Sequence, residues 1–171
     1  MMYQPGDMVI YGSTGVCRVK EVTAQKFQKG EDKLYYALEP LYQDGVIYTP
    51  VDAKVFMRPV ITEAEAETLI DQIPTMEASA YHNSVLRELE EHYAGYLKSH
   101  ECGDLIELAM SIYTKKQDLE ARHRKFGAVD ERFMKRAEDL LYGELAVALQ
   151  IEKDQVSTYI ANRVSVLQGE S

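Results

Sequence analysis

There is no tryptophan anywhere in this sequence of 171 residues, and there are only two cysteines. Cys17 and Cys102 lie far apart in unlike surroundings, so no disulfide framework is encoded. Long apolar runs are missing too: no purely apolar stretch exceeds a few residues, against the roughly 20 that a membrane helix needs. The opening MMYQPGDMVIYG has neither the basic start nor the apolar run of a signal peptide. The expectation is a cytoplasmic protein with no membrane partner. Low-complexity tracts and internal repeats are likewise absent. So are the motifs that announce chemistry: no phosphate-cradling P-loop, no G-x-S-x-G elbow and no credibly spaced Cys/His dyad. The histidines His82, His92, His100 and His123 form no ligand pattern. His100-Glu101-Cys102 has no second pair of ligands to complete the four that structural zinc requires. Carboxylates are plentiful, but on helices they describe solvated faces rather than a general acid–base pair. No enzyme, cofactor, metal or small-molecule substrate is expected.

Charge is unevenly spread. Residues 1–60 hold seven Lys/Arg against seven Asp/Glu, whereas residues 61–171 hold twelve against twenty-one, which accounts for the whole net charge of −9. A domain of that sign does not gather along a nucleic-acid backbone by bulk electrostatics. Any DNA contact must come from a local basic patch or be assisted by a partner.

What is present divides by period. The first sixty residues alternate as strands do. Met8 to Tyr11 precedes the turn signal Gly12-Ser13-Thr14-Gly15. That tetrapeptide also matches the GxxG loop of an RNA-clamping fold, but it lies between strands rather than helices, so a hairpin turn is expected. In residues 16–22, Val16, Arg18, Lys20 and Val22 fall on one face, Cys17, Val19 and Glu21 on the other. Residues 30–33 predict a turn and residues 34–42 an aromatic strand. Asp44-Gly45 has the composition of a type I′ hairpin, which needs positive φ at both central residues. Residues 46–48 would return antiparallel, Pro50 suits an edge or strand end, and residues 55–58 form a last short strand. Five short strands at this spacing predict a small SH3-like or Tudor-like β-barrel.

Near residue 61 the period becomes helical. Thr62 and Glu65 have the spacing of a capping box over a helix at 62–72. Pro74 follows, within a linker or tight turn at 73–79. Helical spacing resumes at Tyr81 through Val85, Leu86, Leu89, Tyr93, Tyr96 and Leu97. Gly103-Asp104 separates this helix from the next, whose face is Leu105, Leu108, Ile112 and Leu119. A polar hinge at 126–128 precedes Asp130, an N-cap candidate, and Phe133, Met134, Ala137, Leu140, Leu141, Leu145 and Ala148 line a further helix. A last helix spans about 153–167. The fold class is α+β: a β-barrel over 1–60 followed by an all-helical bundle of about five helices over 61–171.

Against that pattern, Pro5-Gly6-Asp7-Met8-Val9-Ile10-Tyr11, Gly15-Val16, Tyr35 or Tyr36, Pro50 and Arg58-Pro59 resemble the N-terminal module of the CarD family of bacterial transcription regulators, a module similar to the polymerase-interacting domain of transcription-repair coupling factors. Further on, the segment 99–104, Ala137-Glu138-Asp139-Leu140-Leu141 and Glu144-Leu145-Ala146 extend the resemblance to about residue 150. The sequence departs from the family's pattern at three places. Its turn is Gly-Ser-Thr-Gly rather than histidine-rich, Phe56-Met57-Arg58 lacks a glycine before the arginine, and tryptophan is absent.

The resemblance implies docking on the RNA polymerase β-subunit by edge-strand pairing, with affinity from main-chain bonds and specificity from alternate side chains. The residues it assigns there are Lys26, Leu34, Tyr35, Tyr36, Val46 and Tyr48. Tyr48 stands where relatives carry a basic residue, so an ion pair at that position is not expected. The alternative for Tyr35, Tyr36, Tyr42 and Tyr48 is simple barrel packing, since strands enrich tyrosine. The resemblance also implies a promoter-facing helical domain, in which Leu89 occupies the position of the family's DNA-wedging tryptophan, flanked by Glu88, Glu90 and Glu91. Within 115–136 eight basic residues oppose four acidic ones. Of these, Arg122, Arg124, Lys125, Arg132, Lys135 and Arg136 are the candidates for facing promoter DNA, the alternative being a solvated helical hairpin with intrahelical pairs. The expected function is a non-enzymatic regulator that binds the polymerase β-subunit, meets promoter DNA in that complex and modulates open-complex formation. Weak or absent binding of DNA by the protein alone is expected. The alternative function is a peptide-binding adaptor with no role at DNA.

Overall fold

The computed structural model describes residues 2–25 and 33–169. The chain divides into two compact units, Met1–Ile61 and Thr62–Ser171.

In the first unit five strands, β1 (Met8–Tyr11), β2 (Gly15–Gln25), β3 (Lys33–Pro40), β4 (Ile47–Pro50) and β5 (Met57–Pro59), form one sheet in the order β4-β3-β2-β1-β5. Every pairing is antiparallel. The β1–β2 turn uses the expected glycines: Gly12 and Gly15 take φ of +46° and +94°, and Thr14 donates its N–H to the Tyr11 carbonyl at 3.0 Å. A side chain at Gly12 would also crowd Val55 Cγ1, 3.2 Å from where its Cβ would stand. Val9, Cys17, Val19, Tyr36 and Leu38 build the core, joined by Tyr3, Tyr11, Val22, Ile47, Val51 and Met57. Tyr36 also accepts the Tyr3 N–H on its hydroxyl at 3.1 Å. Burial lifts the Cys17 thiol to about 11, so at neutral pH it is a small apolar core residue.

Three expectations for this unit are corrected. The sheet is not closed into a barrel, because β4 and β5 stand at its opposite ends. Both strands are short and both end in proline, which has no N–H to offer a further ladder. Asp44-Gly45 is not a type I′ hairpin: six residues separate the end of β3 at Pro40 from β4, and of the two only Gly45 has positive φ, +107°. The alternation read along β2 also fails past Val19. A β-bulge between Val19 and Glu21 admits Lys20 as an extra residue, so Val22 returns to the core face that Cys17 and Val19 share.

The second unit holds α1 (Glu63–Gln72), α2 (Leu86–Leu97), α3 (Cys102–Ala121), α4 (Ala128–Leu149) and α5 (Val156–Leu167). The capping box is formed: Thr62 Oγ1 accepts from the Glu65 N–H and Glu65 Oε1 accepts from the Thr62 N–H, both at 3.1 Å. Leu89, Tyr93, Leu108, Ile112 and Ala137 form the centre of a core between α2, α3 and α4. Each aliphatic side chain fully buried there is worth roughly 1.5–3 kcal/mol. Helix α2 begins later than Tyr81. Asn83 Oδ1 accepts the Val85 N–H at 2.8 Å, a local bond that competes with helix, while the Tyr81 ring stacks on His92 at 3.7 Å. At α4 the N-cap is Gly127, not Asp130, whose side chain is turned inward instead.

Helix α5 is tied to α1 by charge. Arg163 reaches both Asp71 oxygens, at 2.7 and 3.0 Å, and lies 3.1 Å from Glu67, which also accepts the Tyr159 hydroxyl. The guanidinium hydrogen bond holds the Asp71 carboxyl below its ordinary pKa, with desolvation opposing. A carboxyl whose pKa is depressed on folding contributes stability above its unfolded value, near 3.9, and loses it as pH falls through the folded one. Asp71→Asn should therefore lower the thermal midpoint at pH 6 but not at a pH acid enough to protonate Asp71, as melts across that range would record.

Candidate functional site

Edge strand β4 and its neighbour β3 gather most of the residues expected at a protein partner. The register Leu38↔Ile47, Ala37↔Tyr48, Tyr36↔Thr49 and Tyr35↔Pro50 sets Tyr48 opposite Ala37, with Tyr35 diagonal to it on the same face. Ile47 and Thr49 lie on the other face with Tyr36 and Leu38. The expected contact residues thus separate. Leu34, Val46 and Tyr48 are 44%, 40% and 45% exposed, while Tyr35 and Tyr36 are buried. Tyr36 is core, as its bond to Tyr3 requires. The edge is β4 rather than β3, which pairs with strands on both sides. Lys26 lies outside the described residues. Tyr42, in the β3–β4 connection, adds a further exposed ring. An exposed, mainly apolar edge of this kind can add a strand from a partner and seat its alternate side chains.

The basic stretch between α3 and α4 is less available than its composition implied. Lys115 is buried, and its ammonium lies 2.9 Å from Asp130 Oδ1, with both side chains under a tenth exposed. Tyr93 donates its hydroxyl to the same oxygen at 2.6 Å. Burial and then Asp130 push the Tyr93 phenol far above its ordinary pKa, so it remains a donor. This buried trio joins α2, α3 and α4. Nothing in the linear charge pattern distinguished it from surface pairs. Around it, Arg122 lies 3.4 Å from Asp118 one turn earlier, and Arg132 pairs with Glu90 at 2.9 Å. Lys116 sits 5.5 Å above the Phe126 ring. Arg136 is half-buried and engaged. Arg124, Lys125 and Lys135 are exposed and make no ion pair among the described residues.

Leu89 is corrected from a DNA wedge to a core residue. Only 3% of it is exposed, and it packs with Tyr93, Leu108, Ile112 and Ala137. A side chain so placed cannot enter a base step without unpacking the unit. The apolar residues that α2 does present are at its start, Val85 at its N-cap and Leu86, 48% and 61% exposed. Their spacing predicts a place on the apolar face of the helix, but at the very start of α2 they lie exposed.

Among the described residues no group of His, Cys, Asp and Glu could hold a metal ion, and no helix is long and apolar enough to cross a membrane. Comparison with protein families matches residues 3–61 to the CarD-like/TRCF RID domain. The match ends where the helical unit begins. No curated protein matches the chain.

Proposed function

We propose, from the premise that residues 3–61 are a CarD-like/TRCF RID domain, an RNA polymerase-interacting module, that this chain is a non-enzymatic transcription regulator docking on the polymerase β-subunit. The observation that carries this reading is the coincidence of that domain with an edge strand, β4, whose Tyr48 is exposed, as is Val46 just before it. A β-subunit strand would extend the sheet at β4, with Tyr48 as the aromatic anchor and Leu34 and Val46 at its margins.

The helical unit would then lie near the promoter. With the whole of the net charge of −9 in residues 61–171, it meets DNA only where the polymerase already holds both. Arg124, Lys125 and Lys135 are the side chains best placed for phosphate. Arg122, Arg132 and Arg136 would first have to leave the contacts they make. A protein that binds the open complex better than the closed one shifts the population between them by that difference.

Calorimetry of the full chain with the isolated β-subunit lobe tests the docking. Saturable binding is expected, and Tyr48→Glu should weaken it by about 30-fold or more, as loss of an interface hot spot does. Because Tyr48 is 45% exposed, the variant should keep the parent circular dichroism spectrum. Absence of binding, or equal affinity of Tyr48→Glu, would remove the β-subunit from the reading.

A further inference from the structure

Between α3 and α4 lies a groove of about 360 Å³ lined by Ala109, Met110, Tyr113, Thr114, Met134, Glu138 and Tyr142. It follows from spacing. Met110, Tyr113 and Thr114 are three and four residues apart on α3, and Met134, Glu138 and Tyr142 four apart on α4, so each set is a stripe on one helix face. Its size falls within the range of small-ligand sites, about 300–1,000 Å³.

The lining has a defined chemistry. Met110 and Met134 supply soft, adaptable apolar walls. Tyr113 is 52% exposed at the rim, and Tyr142 brings a second ring from α4. The hydroxyl of Thr114 is turned away from any ligand, donating to the Met110 carbonyl at 2.9 Å. One carboxylate stands among the lining residues, Glu138, half-buried. No hydrogen bond or ion pair to its carboxylate is present among the described residues. Burial raises its pKa, and neighbouring Asp139 raises it further. Lys116 acts in the opposite sense, but its ammonium is stationed over the Phe126 ring. A half-buried carboxylate that shares a groove with two tyrosine rings is short of a counter-cation, and aromatic rings favour one nearby. The acidic balance of residues 61–171 adds a field of the same sense.

We infer that the groove between α3 and α4 binds a small amphiphilic organic cation, its apolar body against Met110 and Met134 and its ammonium against Glu138 beneath the tyrosine rings. The inference does not depend on polymerase docking, since it concerns a different unit of the chain.

The test is a titration of the full chain, methyl-labelled at methionine, with phenethylammonium chloride and separately with phenethyl alcohol, its neutral counterpart. The Met110 and Met134 methyl resonances should move saturably with the ammonium compound, with a dissociation constant on the order of 1 mM, as befits a small probe. The alcohol should bind about tenfold more weakly or worse, and Glu138→Gln should abolish that preference. Tyr113→Ala, at an exposed rim position, should weaken both probes while leaving the fold intact. Absence of saturable shifts, equal affinity for the alcohol, or an undiminished preference in a folded Glu138→Gln variant would each overturn the inference.

Discussion

Asp130→Ala should destabilise the helical unit by about 3–5 kcal/mol, the cost of leaving a buried charge without its partner. The carboxylate oxygen it removes takes the Lys115 ammonium at 2.9 Å and the Tyr93 hydroxyl at 2.6 Å, and neither donor has a route to water while α2, α3 and α4 stay packed. Against a total stability of roughly 5–15 kcal/mol for a domain, a loss of that size brings the unit close to unfolding at ambient temperature. Urea titration followed by circular dichroism would report it as a large fall in midpoint. The triple variant Asp130→Leu, Lys115→Met and Tyr93→Phe should recover most of the loss, because a well-packed apolar replacement of a buried ion pair is often neutral or better and no buried donor is then left unsatisfied. A cost under about 1 kcal/mol, the scale of exposed pairs, would mean that the trio is solvated in solution.

Leu89→Ala should be the second large effect, about 2–5 kcal/mol, as for a leucine truncated inside a packed core. Leu89 touches the same cluster of Tyr93, Leu108, Ile112 and Ala137 that joins three helices, so the cavity left behind has no mobile neighbour to fill it. The measurement separates two roles for this residue. A leucine held out toward DNA would cost no more than about 0.5 kcal/mol in the free protein, as surface substitutions do. A core leucine costs several times that before any nucleic acid is added. Denaturation of the protein alone therefore decides the matter.

Much of the fold was legible because local signals agreed with the tertiary answer. β1 occupies Met8–Tyr11 as its pattern predicts, and the Gly12 and Gly15 backbone angles are those the turn composition asks for. Thr62 and Glu65 cap α1 as their spacing requires, and five helices follow in the expected order. The failures share one cause, that a longer-range contact overrode a local pattern. The bulge at Lys20 is set by pairing with β3, which no window along β2 contains. Tyr81 carries helical spacing but stacks on His92 across an extended segment. Lys115 and Asp130 are fifteen positions apart and resemble any solvated pair until α3 and α4 fold against each other. The exposed residues Leu34, Val46 and Tyr48 came from a family resemblance. Alternation separates Tyr36 from the face that Tyr35 and Tyr48 share, but it tells neither that Tyr35 is buried on that face nor which strand stands at the edge.

The pairing of β1 with β5 sets an order of events during synthesis. Val9 lies opposite Pro59, so a strand made early in this unit waits for one made at its end before its second ladder can form. Until then β1 has β2 alone beside it, and closing so long a loop carries an entropy cost that the β1–β2 hairpin does not face. Sheets built on such distant pairings fold slowly compared with helical units rich in neighbouring contacts. A nascent chain stopped anywhere short of Met57 therefore presents β1 with an unclaimed side, and that interval is when the first unit is most open to pairing with the wrong strand.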